Sequence, residues 1–193
     1  MIYLTSDLHF GHNVAFIYEP RGFKSIEDMN ETLIRNWNED VTDDDDVYVL
    51  GDFFLGTDDE FVINTINRLH GKIHLILGNH DTDAKIALYK NCPKIVNYIE
   101  QLDRHFPTST EMIYNGRKYL LSHYKTFTAE LTSDPNTAVI NLSGHVHQPE
   151  KFYRDMPFMY NVSVDAHENR LVSIDQIAED IKNQMNKCFS FLV

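Results

Sequence analysis

The 193 residues carry 42% hydrophobic and 24% charged side chains, the balance of a globular domain with its own core rather than of a disordered or fibrous chain. With 17 basic against 29 acidic residues the formal charge is −12, which repels polyphosphate backbones at long range and disfavours nucleic acid as a non-specific partner. No apolar run approaches the ~20 residues that span a membrane, and the opening MIYLTSDLHF lacks the basic and apolar regions of a signal peptide.

The pattern reads as one domain over residues 1–193, without repeats or low-complexity linkers. Residues 2–6 form a buried strand. Ser25, with Asp28 three positions on, caps a helix over 25–40 that carries Met29, Leu33 and Trp37 along one face. The acidic run at 43–46 is a solvated turn; it lacks the glycine and closing glutamate of a calcium loop. A strand at 47–50 follows. Thr57, with Glu60 three residues later, caps a second helix that turns Phe61, Ile66 and Leu69 inward. A strand at 72–77 and a helical stretch at 83–90 come next. Residues 112–114 and 118–121 flank Asn115-Gly116, a hairpin signal. Strands at 139–142 and 158–164 precede a last helix, capped by Ser173 and lined by Ile177, Ile181 and Met185. The apolar end Phe189-Ser190-Phe191-Leu192-Val193 calls for burial, in a final strand or in a homodimer contact. Cys92 and Cys188 stand far apart without metal-ligand spacing, as free thiols do in a reducing, cytoplasmic compartment. Strand–helix alternation followed by hairpins predicts an α/β fold with two packed sheets and outer helices.

Five polar clusters sit at the carboxyl ends of predicted strands. They are Asp7-Leu8-His9-Phe10-Gly11-His12, Gly51-Asp52, Gly78-Asn79-His80-Asp81, Ser122-His123 and Gly144-His145-Val146-His147. That edge of an α/β sheet is where ligand sites form. Extended Asp-x-His and His-x-His spacing places both side chains on one side, a chelating arrangement, and neighbouring glycines permit close approach. Carboxylate, amide and imidazole donors without a thiolate suit divalent transition metals rather than a zinc finger. Two cations roughly 3.5–4 Å apart acidify a shared water and hold a phosphoryl group for in-line attack.

D-x-H, G-D, G-N-H-D, H and G-H-x-H, in this order from Asp7 to His147, resemble the calcineurin-like metallophosphoesterase superfamily. DLHFGH at the start and NVSVD at 161–165 resemble its small bacterial and phage members. The resemblance implies a four-layer α/β/β/α sandwich of two packed mixed sheets and two divalent metal ions, Mn²⁺ foremost, with Fe, Zn²⁺, Ni²⁺ or Co²⁺ as alternatives. It implies Asp7, His9 and His147 on one metal, Asn79, His123 and His145 on the other, and Asp52 bridging both. His80 would contact the phosphate and protonate the leaving oxygen, a task suited to an imidazole; Asp81 would orient His80 or cap the next helix. The implied reaction is hydrolysis of a phosphomonoester or phosphodiester, in a small phosphate ester or nucleotide, by a metal-bridging hydroxide. The phosphoprotein branch carries Arg beside G-D and G-N-H; this chain has none there.

Further candidates surround the core. His12 follows His9 by three residues. Arg21 offers a planar fork for a phosphate. Tyr124 and Lys125 follow His123 directly, and His167 is a candidate for a pocket wall. His70, His74 and His105 belong to no motif and are assigned to structure or surface. Two other functions share the pattern: a metallophosphoesterase-fold scaffold for protein interaction, and an RNA or DNA end-processing phosphoesterase, which needs a basic groove.

Overall fold

The computed structural model of the chain describes residues 1–99, 109–128 and 137–189. In chain order the elements are β1 (Ile2–Thr5), α1 (Ala15–Tyr18), α2 (Ile26–Asp40), β2 (Asp46–Leu50), α3 (Asp59–Arg68), β3 (Lys72–Ile76), α4 (Asp83–Tyr89), β4 (Ile95–Ile99), β5 (Ser109–Tyr114), β6 (Arg117–Ser122), β7 (Ile140–Ser143), β8 (Met159–Asn161), β9 (Val172–Ser173) and α5 (Ile174–Phe189).

Two mixed sheets result. The first runs β4-β3-β2-β1-β9, with β1 to β4 parallel and β9 antiparallel to β1. The second runs β5-β6-β7-β8, with only the β5–β6 pair antiparallel. Side-chain alternation divides the first sheet's contacts between two cores. Val47, Val49, Ile73 and Leu75 pack with the helices, against Met29, Leu33, Trp37, Val62 and Ile66. Leu4, Leu50 and Ile76 pack with Tyr119, Leu121, Ile140, Leu142 and Tyr160 of the second sheet, and α5 adds Ile177, Ile181 and Met185. The expected architecture, two packed mixed sheets flanked by helices, is therefore the one the chain forms.

Local chemistry sets the element ends. Ser25 Oγ accepts from Asp28 N at 3.2 Å, and Ser173 Oγ from Gln176 N at 3.1 Å, as their spacing predicts. The cap of α3 is Asp58, not Thr57: its carboxylate accepts from Phe61 N at 2.8 Å. A carboxylate has the stronger acceptor and complements the helix dipole, so it wins over the neighbouring hydroxyl. The acidic run at 43–46 is only partly a solvated turn. Asp45 is buried and accepts from Thr42 N and Oγ1, each at 2.8 Å, while Asp46 opens β2. The strand expected over 158–164 stops at Asn161, and Val164–Ala166 is a 3-10 turn. The apolar end at 190–193 lies outside the described residues. Among the described residues no helix is long and apolar enough to cross a membrane.

Candidate metal centre

Because β1, β2 and β3 are parallel, the loops that follow them open at one edge. Strands β6 and β7, also parallel to one another, present His123 and Gly144 beyond their ends. Backbone hydrogen bonds stitch this edge together. Asp7 N donates to Gly51 O and His9 N to Asp52 O, both at 3.0 Å; Gly144 N donates to His123 O at 3.1 Å; Val164 N donates to Ser6 O at 3.2 Å across the two sheets.

All seven residues expected at metals come together there. Asp7, His9 and His147 form one group of potential donors, and Asp52, His123 and His145 a second; within each group the ligand atoms lie within 4.8 Å of one another. Asn79 joins the second group, its Oδ1 2.8 Å from His123 Nε2. Asp52 Oδ2 stands between the groups, 3.6 Å from His9 Nε2 and 3.5 Å from His123 Nε2.

The backbone differs from the extended form that the spacing suggested. Asp7, His9, Asp52, His145 and His147 have φ of 57°, 51°, 53°, 72° and 44°, the left-handed region that an L-residue occupies at a cost of roughly 1–2 kcal/mol. The His-x-His pair consequently divides: His145 faces the Asp52 group and His147 the Asp7 group. Glycine is required at two close approaches. A Cβ on Gly144 would lie 2.1 Å from Ser6 Oγ and 2.2 Å from Asp7 Oδ2, and one on Gly78 would lie 2.2 Å from Asp52 Oδ1.

A surrounding layer fixes the donors. Ser6 Oγ donates to Asp7 Oδ2 at 2.7 Å, and His145 N donates to the same oxygen at 2.8 Å, leaving Asp7 Oδ1 buried without a hydrogen-bond partner. His80 N donates to Asp52 Oδ1 at 2.9 Å, so Oδ2 is the free oxygen. His123 Nδ1 lies 2.8 Å from Leu50 O, which places the proton there and the lone pair on Nε2. Asp81 neither orients the His80 ring nor caps α4. Its buried carboxylate accepts from Gly78 N, Asp52 N and the Tyr89 hydroxyl at 2.8, 2.9 and 3.1 Å, joining the loops after β2 and β3.

Asp165, unassigned in the sequence reading, is part of this layer. Arg21 meets it in a bidentate pair, Nε to Oδ1 and NH2 to Oδ2, both 2.9 Å, and His147 Nδ1 lies 3.1 Å from Oδ2. Burial alone would raise the Asp165 carboxyl, but the His147 hydrogen bond and the Arg21 charge hold it down at about 2. Burial works against a proton on His147, but Asp165 and Asp7 outweigh it and raise its pKa. A cation at His147 would therefore compete with a proton. His9 is driven down to about 2, by burial first and then by the charge of His147 and Arg21. Burial and His123 lower His145. Asp7 is raised, by burial above all, which outweighs the opposing charges of His123 and His147 and the Ser6 hydrogen bond.

Other expectations are corrected. The Arg21 phosphate clamp is not available: the side chain is 2% exposed, and its remaining donors reach Asp7 O at 2.8 Å and Leu8 O at 3.2 Å. Lys125 turns away, its Nζ 3.5 Å from the centroid of the Tyr153 ring. Tyr124 packs edge-on against His145 and His123, at 4.6 and 5.1 Å between ring centroids. His167 is no wall of this pocket: its Nε2 lies 2.9 Å from Asn161 O, and burial lowers its pKa to about 4. His70 and His74 are structural, paired with Val41 O at 3.0 Å and Asp46 Oδ1 at 2.7 Å; His105 lies outside the described residues. Cys92 is a buried free thiol and Cys188 an exposed one. His12 does line the cleft, a cavity of about 570 Å³ shared with His9, Asp52, Asn79, His80, His145 and His147.

Two packed mixed sheets with clustered His and Asp donors at a common edge are the setting of a metal-dependent phosphoesterase. The domain model of the calcineurin-like phosphoesterase superfamily matches residues 1–172, and the chain belongs to that family. It is 31% identical over 192 residues to an uncharacterized protein of Methanocaldococcus jannaschii, covering 94% of this chain and 91% of that one. It is 29% identical over 203 residues to the gene 66 protein of Mycobacterium phage L5, covering 96% and 95%. A protein of unknown function from Aquifex aeolicus shares the fold, with a TM-score of 0.65 at 22% identity, over 93% of this chain and 98% of the other.

Proposed function

We propose that the protein hydrolyses a small phosphate ester or nucleotide at a dinuclear metal centre. The observation that carries this reading is the position of Asp52 Oδ2 between two donor groups, together with a buried Asp7 Oδ1 that makes no hydrogen bond. A buried carboxylate oxygen without a hydrogen bond, its ionic contact being His147 Nε2 at 3.8 Å, is costly, and a cation would remove that cost. Neutral imidazoles at His9 and His145 and the amide oxygen of Asn79 complete a set that fits Mn²⁺ first, and Fe, Zn²⁺, Ni²⁺ or Co²⁺.

Asp7, His9 and His147 would hold one cation, Asn79, His123 and His145 the other, with Asp52 shared. When bound, the pair supplies a nucleophilic hydroxide and neutralises the phosphoryl oxygens. His80 is the proton donor to the leaving oxygen. Its side chain is 43% exposed at the cleft, its Nε2 is 4.0 Å from Asp52 Oδ2, and its ring centroid is 5.6 Å from that of His9. Ser6, Asp81 and Asp165 hold donors in place and take no part in proton transfer.

No observation favours the other two readings. Interaction scaffolds lose donors, and this chain keeps the whole set. An end-processing enzyme needs a basic groove, whereas no Lys or Arg stands among the described residues that line the cleft. The test is turnover of bis-p-nitrophenyl phosphate and p-nitrophenyl phosphate by the Mn²⁺-loaded protein. Hydrolysis that disappears on chelation and returns with Mn²⁺ is expected; none of either ester under saturating Mn²⁺ overturns the reading.

A further inference from the structure

The cleft has an apolar end that the metal chemistry does not use. Phe16, in the first turn of α1, is 73% exposed. It lines the cleft together with Ile17, Pro20 and Leu55. Ile17 is buried in the helix-side core and anchors α1, so Phe16 is left facing outward.

The rings are spaced stepwise from the candidate metal centre. The His12 ring lies 5.3 Å from that of His9 and 6.5 Å from that of His80, and the Phe16 ring lies 6.0 Å from His12, edge-on at 86°. Phe16 is thus linked to His80, the group that faces the leaving oxygen, by two successive ring contacts through His12. The segment that carries it is pinned at both ends. His12 N donates to His9 O at 3.0 Å on one side; on the other, Arg21 is fixed to Asp165 and Asp7 O, and Arg21 O accepts from Asn169 Nδ2 at 3.2 Å. Such a platform is held in place before any ligand arrives. Among the described residues that line the cleft there is no Lys or Arg to meet a second phosphate, which favours an uncharged group beyond the scissile bond.

We propose that Phe16 is the stacking platform for a planar, uncharged ring on the leaving group. The preferred substrate is then a phosphoester of a nucleoside or of another aromatic alcohol. This rests on the phosphoesterase reading. In the reaction the P–O bond to the ring-bearing alcohol breaks, water supplies the new P–O bond, and His80 returns a proton to the departing oxygen.

The experiment compares wild type, Phe16→Ala and Phe16→Trp, each prepared in a Mg²⁺ form for binding and a Mn²⁺ form for turnover. It measures binding of adenosine, phenol and ribose by saturation-transfer NMR on the Mg²⁺ form, and their inhibition of bis-p-nitrophenyl phosphate hydrolysis. Adenosine is expected to bind and inhibit competitively and ribose is not. Phe16→Ala should weaken adenosine roughly tenfold, the scale of one base–aromatic contact, and Phe16→Trp should restore it. Equal Phe16 dependence for phenol assigns the platform to aromatic alcohols at large; dependence for adenosine alone assigns it to nucleosides. An active enzyme whose adenosine affinity is the same with Ala at 16, or that binds ribose as well as adenosine, overturns the proposal while the phosphoesterase reading stands. An inactive wild type that still binds adenosine through Phe16 overturns the phosphoesterase reading and, with it, the leaving-group assignment.

Discussion

Asp52→Ala is expected to lower kcat/KM for bis-p-nitrophenyl phosphate by roughly a thousandfold or more. One carboxylate oxygen stands between both donor groups, so on the proposed dinuclear reading its removal would weaken two metals at once, and metal stabilisation of a phosphoryl transition state is worth several kcal/mol. Asp52→Asn separates charge from shape. The amide oxygen can still accept from His80 N, as Oδ1 does at 2.9 Å, and the left-handed backbone at φ 53° stays pinned to Asp81. Its loss should be nearly as deep, because the bridging anion is gone while the fold remains. Steady-state kinetics with circular dichroism as the folding control make the check. A well-folded Asn variant within tenfold of wild type would remove the bridging role from Asp52.

His80→Ala should show a defect that depends on the leaving group. A general acid contributes about 10²- to 10⁴-fold where the departing oxygen is strongly basic, and much less where it is a good leaving group. Loss of roughly a hundredfold or more is expected for a methyl or other alkyl ester, and about tenfold or less for p-nitrophenyl esters. The backbone N–H that serves Asp52 survives the substitution, so the metal content should not change. Equal losses across leaving groups would instead place His80 in phosphate positioning.

What was legible in the sequence is what local pattern encodes. An apolar strand followed by Gly-Asp, Gly-Asn-His-Asp or Gly-His-x-His marks donors at a sheet edge, because period-2 burial and glycine punctuation are both short-range signals. The caps at Ser25 and Ser173 and the Asn115-Gly116 turn were readable on the same ground. Features that depend on distant partners were not. Arg21 looked like a loop cation open to phosphate, but Asp165, 144 residues later, buries it. Lys125 adjoins His123 in the chain, but its charge settles over Tyr153. Strand β9 has two residues and α1 four, too few for any periodicity. The left-handed backbone of five candidate donors is only weakly marked by residue type: Asp and His are enriched in that region, but most of them still lie outside it.

The central claim is most directly tested by crystals soaked in Mn²⁺ and measured for anomalous scattering at the manganese edge. Two peaks roughly 3.5–4 Å apart are expected on either side of Asp52, one among Asp7, His9 and His147, the other among Asn79, His123 and His145. A single peak, or manganese bound elsewhere with this edge left to water, would contradict a dinuclear centre.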